Sequence, residues 1–326
     1  MMYDAIKNFP GQLEFMPEIE HKEKLGAYER FVVLGMGGSH LAADLLIGWK
    51  PELPLVVHSD YGLPYIPDRI SAKTLVIGSS YSGNTEEVID GFEEAGRRGI
   101  DRAAISVGGR LRDLARASQI PFIQFPDGGI QPRSALGLSM KVFLSLMNER
   151  DVLNDVAAVA GLLRTHMDSL EKQGKALAGS MKNRVPVIYA SRQNIGIVQN
   201  WKIKFNETAK IPAFWNVFPE LNHNEMTGFD VVESTRQLSE EFFFVFLQDP
   251  TDHPKVQKRM AVTKGLYQNR GLPSVDVDMA MIGTRPFEKI FSSVLLADWT
   301  AYHTSQIYGT ESEQVPMVEE FKKRIA

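Results

Sequence analysis

The 326-residue chain contains no cysteine. Disulfides, thiolate nucleophiles and cysteine-ligated zinc or iron–sulfur centres are therefore excluded. His21, His40, His58, His166, His253 and His303 show no two-histidine metal spacing, so the chemistry calls for no metal and no cofactor. No stretch approaches the ~20 apolar residues of a spanning helix, and the opening Met1-Met2-Tyr3-Asp4-Ala5-Ile6-Lys7 lacks a secretory apolar core. The expectation is a cytoplasmic protein with no membrane partner. A formal net charge of -4, with no basic block, offers no footprint for nucleic acid. Low-complexity segments and clear internal repeats are also lacking.

What remains is ordinary globular composition, with 44% hydrophobic and 23% charged residues over a length suited to about two domains. Phe31-Val32-Val33-Leu34 reads as a strand, Gly35 to Ser39 as a glycine turn, and His40 to Ile47 as a helix. Strands follow at Leu55–Val57, Thr74–Ile77, Ala103–Val107 and Phe122–Phe125, with a helix from Thr85 to Arg98. Pro132 to Met147 is apolar nearly all round and reads as one buried helix. A long helical region runs from about Val152 to Gly179. The second half repeats the alternation, with strands at Pro186–Ala190, Phe242–Leu247 and Ser274–Asp278. Its helices run to about Lys210, then about Pro254–Asn269, Pro286–Ile307 and Pro316–Ile325. The fold class is α/β, with two domains, 1–150 and 151–326, each a mainly parallel sheet flanked by helices.

The turn Gly78-Ser79-Ser80-Tyr81-Ser82-Gly83-Asn84-Thr85 lies between a buried strand and a helix start. Unpaired amides and the positive end of the helix dipole favour an anion there, and Ser80, Ser82 and Thr85 can each donate a hydrogen bond. The competing reading is a turn whose hydroxyls only cap the helix. The G-x-x-x-x-G-K-[ST] spacing of a nucleotide loop is absent, which points to a small phosphorylated metabolite. Gly35-Met36-Gly37-Gly38-Ser39 is a second such turn without the G-x-G-x-x-G spacing of a dinucleotide fold. Ligands of open α/β sheets bind beyond the carboxyl ends of strands, where two turns can converge; tight packing alone is the other reading.

Arg133 follows Pro132 at a helix start, where a cation opposes the dipole, so it meets either an anionic ligand or a salt-bridge partner. Glu207 points away from the apolar stripe of Ile195, Val198, Trp201 and Phe205, which leaves it able to face a cleft. Asn222-His223-Asn224-Glu225 is polar amid Phe214, Trp215, Phe218, Leu221 and Phe229. That setting suits a group tuned for proton transfer, although a cap or solvated loop accounts for these residues too. Lys322, beside Val318, Phe321 and Ile325, reads by itself as a surface lysine.

Taken together these segments resemble the bifunctional phosphoglucose/phosphomannose isomerases, a two-SIS-domain (sugar isomerase) branch of the phosphoglucose isomerase superfamily. The resemblance covers most of the chain. It rests on Gly35–Ser39, Ser80–Thr85, Gln131–Ser134, Asn206-Glu207 with Ala209-Lys210, and Pro219–Glu225. It implies that Gly38, Ser39, Ser80, Ser82 and Thr85 hold a sugar phosphate and that Glu207 moves a proton between C2 and C1. Arg133 would stabilise the cis-enediolate. His223, helped by Lys322 rather than Lys323 on its spacing to the chain end, would assist ring opening from the neighbouring subunit of a homodimer. The family's determinant for mannose 6-phosphate falls near Glu311–Met317 without one assignable position, so the resemblance implies glucose 6-phosphate isomerisation more directly than the mannose 6-phosphate reaction. The rival is a non-catalytic sugar-phosphate sensor, which usually carries a DNA-binding domain that this chain has no basic segment to supply. A glutamine-dependent aminosugar synthase would need a cysteine.

Overall fold

A computed structural model describes residues 2–325. The chain forms two compact units, Lys7–Gly161 and Met1–Ile6 with Leu162–Ala326. The division falls within the 31-residue helix Arg150–Ser180.

The first unit is built on five parallel strands, β1 (Arg30–Leu34), β2 (Leu55–His58), β3 (Thr74–Ser79), β4 (Asp101–Ser106) and β5 (Phe122–Gln124), in the order β2-β1-β3-β4-β5. Val32 faces Val56 on one side and Val76 on the other. β1 and β3 are buried along nearly their whole length, as interior parallel strands covered on both faces must be. The helix Glu86–Arg97 presents Val88, Phe92 and Ala95 at helical spacing to Val32, Leu34 and Val76. The strand order reverses between β1 and β3, since β2 lies on one side of β1 and the later strands on the other. That reversal opens a crevice beyond their carboxyl ends, and the two glycine turns leave the sheet there.

The second unit repeats the plan with β6 (Val185–Ser191), β7 (Phe214–Phe218), β8 (Phe242–Gln248) and β9 (Ser274–Asp278), ordered β7-β6-β8-β9 and parallel throughout. One face of this sheet packs Tyr189, Phe218, Phe244, Phe246 and Tyr267 into an aromatic core. The helix Pro286–Tyr308 is buried on most of its circumference and packs on the helix Ile195–Lys204 and on Phe205–Ala209.

Several elements depart from the sequence reading. The stretch expected as one helix from Pro132 to Met147 is a short 3-10 turn, Pro132–Ser134, followed by an α-helix, Leu136–Leu146. Gln12 explains the break: its Nε2 donates to the Ser134 carbonyl at 2.7 Å, and its Oε1 accepts from the amide of Gly137 at 3.1 Å, so a distant side chain caps the new helix start. β7 is an additional edge strand, bracketed by Pro212 and Pro219 and with Phe214 exposed. The helix Gly109–Ala117 is also additional. It buries only Leu111 and Ala115, too few apolar positions to stand out against its arginines.

Candidate active site

In the first unit the two glycine turns meet. Ser79 Oγ donates to the Ser39 carbonyl at 2.7 Å, and the Tyr81 amide donates to Ser39 Oγ at 3.1 Å. Gly83 has φ +75°, and a Cβ there would lie 1.7 Å from the Gly108 carbonyl oxygen. Only glycine fits that corner.

The hydroxyls of the serine turn are arranged in a directed way. Ser80 is fully buried and its Oγ accepts from the amide of Gly83 at 3.0 Å and, more loosely, of Thr85 at 3.4 Å. With its lone pairs so used, its proton goes to Thr85 Oγ1, 2.8 Å away, and Thr85 keeps its own proton to donate outward. Ser82 Oγ accepts from the Asn84 amide at 3.2 Å, and Ser39 Oγ from Tyr81, so each of these likewise retains its proton. Ser39, Ser82 and Thr85 are accessible, whereas Ser80 sits behind them. Thr85 occupies the N-cap position of the helix Glu86–Arg97 without a side-chain capping bond, so the capping reading does not describe its hydroxyl.

Gly38 brings the Arg133 segment to the same place. A Cβ on Gly38 would lie 2.5 Å from the Arg133 amide nitrogen and 2.7 Å from the Pro132 carbonyl carbon, a backbone approach open only to glycine. Arg133 is buried in the 3-10 turn. The structure thus gathers Gly38, Ser39, Ser80, Ser82, Thr85 and the Arg133 backbone around the β1–β3 crevice.

In the second unit Glu207 lies half-buried in a five-residue π-helical segment, Phe205–Ala209, that continues the helix Ile195–Lys204. The sequence reading had a uniform helix to Lys210. The widened turn is a finding of the structure, and such π segments frequently occur at functional sites. Lys210, at φ +61°, ends the segment and its Nζ donates to the Glu207 carbonyl oxygen. Val198, Trp201 and Phe205 of the expected stripe are buried.

The Pro219–Glu225 segment is bonded back into its own unit on both sides of His223. Asn222 Nδ2 donates to Thr263 Oγ1 at 2.9 Å and Arg259 donates to Asn222 Oδ1 at 3.2 Å. Asn224 Nδ2 donates to Glu220 at 2.8 Å. The Glu225 carboxylate accepts from Tyr189 and from Asn216. Burial, together with neighbouring Tyr267 and Glu225, pushes the Tyr189 hydroxyl well above the usual phenol range and keeps it a donor. His223 is left exposed on this braced loop. Lys322 is exposed as well and pairs with Glu319 at 2.8 Å, so in the single chain it meets Glu319 rather than His223.

The crevice between β6 and β8, equivalent by topology to the serine-turn crevice, is filled by the chain's own charges. Lys289 Nζ donates to both Asp249 oxygens at 2.7 and 2.9 Å and to Thr251 Oγ1 at 2.7 Å. Burial alone would raise Asp249, but the bonds from Lys289 and Thr251 outweigh it and hold the carboxyl below its usual range. Asp252, beside them, is buried with Oδ2 lacking a hydrogen-bond partner.

A second buried pair, Lys204 Nζ to Asp298 Oδ1 at 2.8 Å, joins the helix before Glu207 to the helix Pro286–Tyr308. Sequence reasoning passed over both residues. The available signal was a lysine three residues after Trp201 on a buried helix face, and a lone acid between Ala297 and Trp299 in an apolar run; each requires an opposite charge when buried.

Two α/β units, each built on a parallel sheet and one carrying a hydroxyl-lined turn at its switch point, have the plan of a sugar-isomerase-domain protein. Consistent with this, residues 170–325 match the bacterial phospho-glucose isomerase C-terminal SIS domain. A solved structure of tagatose-6-phosphate ketose/aldose isomerase from Escherichia coli shares the fold with a TM-score of 0.69, at 16% identity over 94% of this chain and 93% of that one. The chain is 32% identical to a bifunctional phosphoglucose/phosphomannose isomerase of Caldicellulosiruptor bescii over 100% of this chain and 99% of the relative. It is 34% identical to one of Thermoplasma volcanium over 93% of each. The chain belongs to the bifunctional phosphoglucose/phosphomannose isomerase family, and it is an isomerase.

Proposed function

We propose that this isomerase interconverts glucose 6-phosphate and fructose 6-phosphate, and mannose 6-phosphate and fructose 6-phosphate, by proton transfer through a cis-enediol. The observation that carries the reading is the turn in which Ser39, Ser82 and Thr85 each accept from a backbone amide or a neighbouring hydroxyl and keep a proton to donate. Such donors at a helix N-terminus suit a dianionic phosphate. Ser80 orients Thr85, and Gly38 gives the Arg133 segment its close approach. Residues 1–150 act as the sugar-phosphate-binding domain, and residues 151–326 supply the catalytic glutamate and histidine segments.

In this reading Glu207 takes the C2 proton and returns it to C1. The negative charge that develops on the enediolate oxygens is met by Arg133, whose planar cation is always ionised. His223 transfers the proton that opens the sugar ring, with Lys322 exchanging Glu319 for the imidazole. An exposed histidine lacks the enclosure that proton transfer to a sugar ring needs, which supports a homodimer in which a second copy covers it. We place the protein in the cytoplasm, since charged sugar phosphates do not cross bilayers unaided.

The test is an assay of purified protein on fructose 6-phosphate with chelator present, resolving both aldose products. Formation of glucose 6-phosphate and mannose 6-phosphate, abolished by Glu207→Gln with substrate binding nearly intact, is the expected result. Retained binding without any product would overturn the enzymatic reading. Loss of binding in Glu207→Gln would make that residue structural.

A further inference from the structure

The segment that carries Glu207 is anchored from both ends by the body of its own unit. Ahead of it, Lys204 is fully buried and pairs with buried Asp298 at 2.8 Å. One turn earlier, Trp201 Nε1 donates to Ser293 Oγ at 3.0 Å, so the same two helices are tied twice. Behind it, Thr310 Oγ1 donates to the Ala209 carbonyl at 3.1 Å and Asn206 Nδ2 to the Ile211 carbonyl at 2.9 Å. Between these ties the backbone leaves α spacing for the π segment Phe205–Ala209.

Stability alone does not explain a buried lysine and aspartate here. Replacing a buried ion pair by packed apolar side chains is often neutral or stabilising, because desolvation offsets most of the attraction. What an ion pair supplies and an apolar contact does not is a directional contact with one register. A general base must lie within hydrogen-bond reach of the proton it takes, and a misplacement of ~1 Å costs about a hundredfold in rate.

We propose that Lys204 and Asp298 form a positioning pair, which fixes the π segment on the helix Pro286–Tyr308 and thereby sets the direction of the Glu207 carboxylate. This rests on Glu207 being the base. Lys204 touches no substrate in this account; it acts through the segment three residues on.

The experiment compares wild type, the double variant Lys204→Met with Asp298→Leu, and Glu207→Gln, measuring melting temperature, kcat and KM on fructose 6-phosphate. The double variant removes both charges and strands neither. The expected result is a melting temperature at or above wild type, KM within about twofold, and kcat lower by about ten- to a hundredfold. A purely structural pair would leave kcat unchanged at equal melting temperature, and that outcome overturns the proposal. Should the double variant not fold, Asp298→Glu keeps both charges and shifts the carboxylate by one methylene. Lower kcat at unchanged KM then supports the pair, and wild-type kcat overturns it. Glu207→Gln turning over at the wild-type rate would overturn the base assignment and the pair's purpose with it. An inactive Glu207→Gln beside a fully active double variant sinks the pair alone.

Discussion

Single atoms decide how the phosphate turn works. Ser80 Oγ already accepts from two backbone amides, which leaves its hydroxyl to donate to Thr85 Oγ1 and Thr85's own proton for the crevice. Thr85→Val keeps the volume and removes the hydroxyl. One charge-assisted hydrogen bond is worth about 1.5–3 kcal/mol, so KM for fructose 6-phosphate should rise roughly ten- to a hundredfold, and because the buried Ser80 hydroxyl loses its acceptor the melting temperature should fall as well; an unchanged KM would remove Thr85 from the phosphate site. Gly83→Ala tests the turn's shape instead of its donors. Its Cβ would sit 1.7 Å from the Gly108 carbonyl at φ +75°, and neither backbone can yield without opening the turn. The expected cost is about 2 kcal/mol or more, read as a melting temperature several degrees lower together with weakened sugar-phosphate binding.

At the level of elements, strands were legible as continuous apolar runs, as in β1, β3 and β8, and the helix Glu86–Arg97 by apolar residues at helical spacing. The departures arise where something distant intervenes. Gln12 caps the helix Leu136–Leu146 from more than a hundred residues away, and the π widening at Phe205–Ala209 depends on contacts that local periodicity does not encode. The crevice of the second unit is another such case, since only the fold brings Lys289 to Asp249. Burial, reinforced by the adjacent Asp249 carboxylate and opposed by a hydrogen bond from Ser191, pushes Asp252 up from 3.8 to about 6. The folded state therefore holds more protons than the unfolded one between those values, and this residue's contribution to stability falls as pH rises through that window. Above about 6 the penalty is complete. Asp252→Asn should thus stabilise the protein at pH 7 by on the order of 2–3 kcal/mol and change it little below pH 4. Thermal melts of both proteins across that range check the sign, and an equal shift at both ends would show that Asp252 does not titrate as argued.

For the whole molecule, the sequence made the two-sheet plan and the family legible, because alternating strands and helices fix parallel sheets and the serine and Asn-His-Asn-Glu segments are local in the chain. The resemblance implies that His223 serves the Glu207 of the neighbouring copy, which the motifs by themselves do not encode, since it depends on surfaces. The bracing of Asn222 and Glu225 into the body of their own unit, with His223 exposed between them, presents the imidazole outward on a fixed loop. If a partner receives it, each active site combines Glu207 of one copy with His223 of the other. Glu207→Gln and His223→Ala homodimers would then be nearly inactive, yet a mixed dimer would contain one site with both groups intact. Unfolding and refolding the two variants together at equal amounts makes about half the dimers mixed, with one good site of two, so roughly a quarter of wild-type activity should return. An active site that draws both residues from one chain gives no such recovery, because every site in every dimer then lacks one group or the other.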